Sequence, residues 1–303
     1  MKDQHDFEVI IIGGSYAGLS AGMALGRALR RVLIIDSGKP CNRQTPHSHN
    51  FLTQDGETPK AIWEKARAQV EKYDTVTFYS GLAVTGAKTE SGFSITTDKG
   101  NTFQAGKLII ASGISDQMPD IPGFAECWGI SVIHCPYCHG YEVRNEATGI
   151  LSKGDMAFEF SKLVHHWTKD LTLLTNGPAD LTDAQQQKLQ SHHITLVEKA
   201  IEAIDHQKGY IRQVVFKDGS TLALKALYAK IPFVQHSGIP AQLGCELTEH
   251  GFIKADAFQK TTVPGVYVCG DSCTMMRSVS NAVATGTMAG AMLNKELVDE
   301  GFK

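Results

Sequence analysis

Cys135 and Cys138 lie in the stretch VIHCPYCHGYEVR, residues 132–144, with a histidine on each side, His134 and His139. Paired sulfurs at this spacing suit three kinds of chemistry: half of a zinc site, the dithiol of a small redox protein, or the reactive disulfide of a larger enzyme. A structural zinc site takes about four ligands. The other close cysteine pair, Cys269 and Cys273, is far away in sequence and straddles a Gly-Asp step, so no metal is expected. A dithiol that exchanges electrons needs two close sulfurs, one to attack and one to resolve the mixed disulfide. Its thiolate commonly has a lowered pKa. An adjacent imidazole, with an unperturbed pKa of about 6.5, suits proton transfer near neutrality.

The elements that must position these residues follow from hydrophobic pattern. FEVIII (7–12) is a β-branched apolar run, followed by GGSYAG, a helix-compatible LSAGMALGRALR, and RVLIID ending at Asp36. This β-turn-α-β unit resembles a dinucleotide-binding fingerprint. Gly13 permits the tight turn, Gly18 lets helix and strand pack closely, and Ser15 stands at the middle glycine position. Backbone N–H groups at the helix start would meet a pyrophosphate, and Asp36 a ribose hydroxyl. Residues 41–56 read as loop and 58–72 as helix. Strand pieces are expected at 76–79, 92–97, 102–104 and 107–113, with a hairpin turn at 98–101. A second β-turn-α unit begins near Ala147, in ATGILSKGDMAFEF, and continues through LTLLTNG, a helix at 181–191, a strand-like 194–197 and the hairpin IRQVVFKDGSTLAL. VPGVYVCGD and a small-residue helix at 279–297 complete the chain.

Composition narrows the function classes. The chain has 303 residues, 42% of them hydrophobic, and a formal charge of −3. That length favours two domains. The charge carries no basic surplus, so neither nucleic acid nor an anionic membrane is expected as partner. No apolar run reaches about 18 residues, and the polar start MKDQHDFE does not read as a signal peptide. A cytoplasmic soluble protein is the expectation. The seven cysteines, an odd number, argue against a structural disulfide framework.

The order GGxxAG turn, MPDIPGF…WGISVIHCPYCHGYEVR, second nucleotide-type unit, TTVPGVYVCGD resembles the low-molecular-weight thioredoxin reductase family of FAD-dependent disulfide oxidoreductases. The resemblance spans nearly the whole chain. It implies an α/β fold of two Rossmann-like three-layer nucleotide-binding domains, the second inserted in the first. Residues 1–115 plus 243–303 would bind FAD, and 116–242 would form the pyridine-nucleotide domain carrying the dithiol. It implies a homodimer. By the resemblance, the dinucleotide turn of Gly13, Gly14, Ser15, Ala17 and Gly18, with Asp36, would hold FAD. Asn50 and Gly113 would lie near the flavin, Asp271 beside Gly270 would bind the ribityl chain, and Asn281 and Ala282 would open the helix facing the flavin. Cys138 would be the sulfur nearer the flavin; which cysteine attacks substrate stays open. His139 stands where the family carries an aspartate acid–base, and His134 is a second candidate for that role. The resemblance also brings His47 and His49 near the flavin, with an ordinary polar surface loop as the alternative.

CPYC is also the glutaredoxin active-site sequence, and TVP (262–264) occurs there too, but the two are too far apart here for that small fold. The CPYCHGY form resembles the dithiol-oxidase branch of the reductase family, which closes disulfides in small molecules and passes electrons to oxygen. Nicotinamide binding would use Gly154, Asp155 and Ala157, but Ser152 replaces the first glycine of the GxGxxA motif. Thr175, Asn176 and Gly177 occupy the place of the basic stretch that grips the 2′-phosphate of NADPH in relatives. Two mechanisms follow. NADH or NADPH reduces FAD and then a thioredoxin-like protein or small disulfide, or a small-molecule dithiol reduces Cys135–Cys138 and FAD passes the electrons to oxygen. A flavin-retaining redox sensor without turnover is a third reading, against which the intact CxxC argues.

Overall fold

A computed structural model describes residues 6–302, so the polar start that argued against a leader falls largely outside the described residues. The chain forms two compact units: residues 1–43, 51–115 and 233–303, and residues 44–50 and 116–232.

In the first unit Phe7–Ile12 lies inside a seven-stranded sheet. FEVIII has no polar alternation because both faces are covered. Val9 and Ile11 enter one core and Ile10 and Ile12 the other, none more than 4% exposed. Val76–Ser80, Val32–Asp36, Phe7–Ile12 and Thr102–Ile110 run parallel in that order. The far edge of Thr102–Ile110 is shared. Its first half pairs with the antiparallel hairpin Ala83–Lys88/Phe93–Thr97, and its second half with the parallel strand Val266–Val268. The pieces expected at 102–104 and from 107 are therefore one strand. Ala83–Lys88 has too few apolar side chains to announce itself in sequence.

Helices Tyr16–Arg27, Pro59–Val70 and Val279–Gly301 cover one face of this sheet. Gly13 has φ +108°, which makes the tight turn, and a Cβ on Gly18 would lie 1.8 Å from the Gly13 carbonyl oxygen. The helix can start against the strand only without a side chain there. Ile239, Leu243, Ile253 and Val263 close the opposite face.

The second unit is built on a parallel five-stranded sheet, ordered Thr195–Val197, Leu171–Leu174, Thr148–Leu151, Ala226–Ala229, Val132–Ile133. Ile150, Leu171, Leu173 and Tyr228 pack with Ala157, Phe160 and Val164 of helix Gly154–Val164 and Leu189 of helix Asp183–Ser191. Leu174, Leu227 and Ala229 face the three-stranded antiparallel sheet Ile201–Gln207, Tyr210–Phe216, Thr221–Ala223. The sequence reading expects only the last two of these strands; IEAIDHQ buries Ile201 and Ile204 and leaves Glu202 exposed between them.

Two boundaries differ from the expected 116–242. The first unit resumes at Phe233, not at residue 243. Phe233–Gln235 pairs with the strand Ile114–Asp116, and Gln235 Nε2 donates to the carbonyls of Gly251 and Ser272. Residues 44–50 fold with the second unit, with Ser48 buried and the Gln44 and Thr45 side chains beside Gly129.

Candidate functional site

The chain leaves strand Val132–Ile133 and turns at once into the short helix Pro136–His139, capped by Cys135. Cys135 and Cys138 are joined in a disulfide with Cα atoms 5.3 Å apart. The Cys138 N–H donates to Cys135 Sγ at 3.2 Å. Hydrogen bonding to the charged form favours it, so in the reduced pair this N–H stabilises a Cys135 thiolate. Gly140 ends the turn; a Cβ there would lie 2.4 Å from the Pro136 oxygen and 2.9 Å from the Trp167 ring. Tyr137, between the cysteines, meets Trp167 edge-on at 5.5 Å and is otherwise exposed, as is Tyr141.

The two histidines have different surroundings. His134 stacks on Trp128 at 6.0 Å, which stacks on Phe124. His139 is pulled down to about 4 by burial, reinforced by the like charge of His49. At neutral pH its imidazole is uncharged, unlike the histidine titrating near neutrality that the sequence led one to expect.

In the first unit, most residues expected to hold FAD gather at the carboxyl ends of neighbouring strands. A Cβ on Gly13 would lie 2.3 Å from the Ala111 oxygen, one on Gly14 2.7 Å from the Asp36 Cβ, and one on Gly270 2.9 Å from the Ala17 Cβ. Ser15 precedes helix Tyr16–Arg27 without capping it through its side chain. The turn thus presents small residues, helix N–H groups and the Asp36 carboxylate together, a donor and acceptor set that fits a dinucleotide. A Cβ on Gly113 would meet nothing within 4 Å, so open space adjoins that turn. Asp271 lies 3.6 Å from Arg277 Nε. Asn281 Nδ2 donates to the Met276 carbonyl, and Ala282 is buried in the first turn of the final helix. Asn50 is the exception: it lies in the 44–50 segment of the second unit, with φ +58°.

Sequence reasoning missed Trp63, whose Nε1 donates to the Gly14 carbonyl at 2.8 Å. It also missed Arg277 as the partner of Asp271. Neither belongs to a local motif, so no spacing signals it.

In the second unit Gly154 opens helix Gly154–Val164, Asp155 accepts from Gln185 Nε2, and Ala157 is buried. The loop after Leu171–Leu174 is bound up internally. Thr175 Oγ1 donates to the Gly177 carbonyl, the Ile201 N–H donates to Asn176 Oδ1, and the Ala179 N–H donates to Glu198 Oε1. The sequence showed no acid in this loop; Glu198 brings a carboxylate from the end of the next strand.

Among the described residues no cluster of three or more His, Cys, Asp or Glu could hold a metal ion, and no helix is long and apolar enough to cross a membrane. Cys41, Cys127, Cys245, Cys269 and Cys273 form no disulfide; burial raises the Cys273 thiol to about 12, with Asp271 adding to the effect.

Two nucleotide-binding α/β units, one carrying a redox disulfide, define a flavin-dependent disulfide oxidoreductase. The sequence profile of the pyridine nucleotide-disulphide oxidoreductases matches residues 7–286. A thioredoxin reductase, tcpT, of Claviceps purpurea is 32% identical over 98% of this chain and 96% of its own length. A solved oxidoreductase of Agrobacterium tumefaciens has a TM-score of 0.90 and 36% identity, covering 97% of this chain and 99% of that one. The Bacillus anthracis structure TrxB gives a TM-score of 0.93 at 30% identity, covering 97% and 99%. The chain belongs to the pyridine nucleotide-disulphide oxidoreductase family, in its thioredoxin reductase-like group, whose cofactor is FAD and whose usual partner is NAD(P)H.

Proposed function

We propose that this enzyme takes electrons in through Cys135–Cys138 from a small-molecule dithiol and closes that dithiol to a disulfide. The observation that carries this reading is the loop after Leu171–Leu174, where Thr175, Asn176 and Gly177 stand in place of the basic stretch that grips a 2′-phosphate in relatives and Asn176 Oδ1 is occupied by the Ile201 N–H. A substrate dithiol must lose a proton before its sulfur can attack. One substrate sulfur attacks the enzyme disulfide and forms a mixed disulfide. The second substrate sulfur displaces the enzyme sulfur. The substrate leaves oxidised by two electrons, with Cys135 and Cys138 both reduced. The Cys138 N–H favours the Cys135 thiolate in the reduced pair. Gly13, Gly14, Ser15, Ala17, Gly18, Asp36, Gly113, Gly270, Asp271, Asn281 and Ala282 would hold FAD, which when bound would supply two-electron acceptor chemistry, with oxygen as the terminal acceptor.

The nicotinamide-type loop supports this direction. Asn176 and Glu198 are engaged in holding backbone N–H groups, and a carboxylate there repels a 2′-phosphate. The second reading is reduction of a thioredoxin-like protein or small disulfide by NADH or NADPH. It is favoured by Gly154, whose turn keeps φ +61° with nothing nearer than 3.7 Å to a Cβ placed there, and by the name of the Claviceps relative.

Anaerobic titration of the yellow holoprotein separates the two. Under the first reading, a dithiol such as dithiothreitol bleaches the flavin in the wild type but not in Cys135→Ser, and NADH and NADPH each bleach it at least ~100-fold more slowly, a difference of about 2.7 kcal/mol in barrier. Rapid bleaching by either nicotinamide cofactor establishes the second.

A further inference from the structure

The dinucleotide turn has little of its own to fix it. Gly13 and Gly14 are consecutive glycines, the residue type with the widest backbone freedom. Ser15 stands at the helix N-cap without a side-chain bond to the helix. One side of the turn is tied to the sheet, where the Gly13 N–H donates to the Ile35 carbonyl at 2.8 Å. The other side is held from outside the motif, by helix Pro59–Val70. Trp63 Nε1 of that helix donates to the Gly14 carbonyl at 2.8 Å. Tyr16 Oη donates to the Pro59 carbonyl at 3.0 Å, so the same helix also holds the first residue of helix Tyr16–Arg27. The Trp63 ring is itself packed. It joins the hydrophobic core on that face of the sheet, and the Arg67 guanidinium lies 5.5 Å from its centre.

The bond to Gly14 fixes more than one carbonyl. A peptide unit is planar and trans, so its C=O and N–H point in opposite directions. A Gly14 carbonyl drawn towards Trp63 therefore turns the Ser15 N–H the other way. A Cβ on Gly14 would lie 2.7 Å from the Asp36 Cβ, so this peptide also adjoins the acid at the end of the next strand. We propose that Trp63 is a positioning residue for FAD: by holding the Gly14 carbonyl it aims the Ser15 N–H at the cofactor's pyrophosphate. A donor already oriented needs no ordering when the anion arrives, so the bond adds affinity. Trp63 acts through the turn, not on the reacting atoms, and its role is the same whichever way electrons flow.

The test compares the wild-type and Trp63→Phe holoproteins, the variant keeping an aromatic ring and losing the N–H. One readout is the FAD dissociation constant, from free-flavin fluorescence on dilution. The other is the phosphorus NMR spectrum of the bound FAD pyrophosphate, taken with FAD in excess. In Trp63→Phe the dissociation constant rises about tenfold, the share of one hydrogen bond to a charged group, and at least one phosphorus resonance moves. Loss of packing alone would lower the melting temperature and weaken FAD without moving either resonance, and that result overturns the proposal. So does an unchanged dissociation constant. If Trp63→Phe does not fold, Trp63→Met carries the same expectation. Neither readout depends on turnover or on the electron donor, so failure here leaves the proposed dithiol chemistry standing.

Discussion

His139 shows how little a residue type says without its surroundings. Its neighbour in sequence, Cys138, belongs to the disulfide, yet burial and His49 decide its proton. A histidine whose affinity is depressed on folding contributes stability that is present above about 6.5 and lost as pH falls through about 4. Chemical denaturation of wild type and His139→Gln should therefore differ in pH dependence in this window, the variant holding its stability further into acid. Gly140 makes a second point at this scale. A Cβ there would collide with the Pro136 oxygen and the Trp167 ring, so Gly140→Ala should lose about 1–3 kcal/mol by thermal melt. By displacing the turn it should also slow flavin reduction by dithiol on the order of 100-fold.

At the scale of elements, helix Val279–Gly301 is held to its sheet by two different means. Along one stripe it is nearly bare: Cβ atoms on Gly286 and Gly290 would lie 2.2 and 2.7 Å from the carbonyl oxygens of Ala17 and Ala21, so the two helices meet backbone to backbone. Near its end Glu296 gathers Lys107 at 2.7 Å, Lys260 at 2.5 Å and the Tyr267 hydroxyl at 2.9 Å. Burial works against the Glu296 charge, but the bonds from Lys107, Lys260 and Tyr267 outweigh it and hold the carboxyl at about 2. A depressed carboxyl contributes stability present above its ordinary value near 4.5 and lost as pH falls through about 2. Glu296→Gln should cost about 1.5–3 kcal/mol near neutrality, and its deficit should shrink across that acid window in pH-dependent melts.

For the molecule as a whole, the two units keep separate hydrophobic cores: Val9 to Leu293 and Ile10 to Val268 in the first, Phe124 to Ala229 and Ile133 to Tyr228 in the second. A chain with separate cores need not unfold in one step. Calorimetry of the apoprotein should resolve two transitions. FAD at about 100 times its dissociation constant should stabilise the first unit by about 2.7 kcal/mol and leave the other transition in place. A single transition moved as a whole by FAD would show that the units unfold cooperatively.

The local, periodic and motif-borne features were legible in the sequence. FEVIII and KLII declare buried strands because a strand covered on both faces must be apolar throughout. GGSYAG declares a turn that only small residues can make, and Cys135 and Cys138 declare a dithiol because exchange needs two sulfurs within one turn. Strands such as Ala83–Lys88 and Ile201–Gln207 were not legible, since a surface strand buries too few side chains to leave a pattern. The sequence by itself determined the chemical parts: a disulfide pair, a dinucleotide turn and an acid at the end of the next strand. Only the tertiary structure decided their settings. It brought His49 and Glu142 from separate segments to the dithiol unit, Trp63 to Gly14 and Arg277 to Asp271. Proton affinity and ion pairing depend on distance and burial in space, and neither quantity is written in the spacing of residues along a chain.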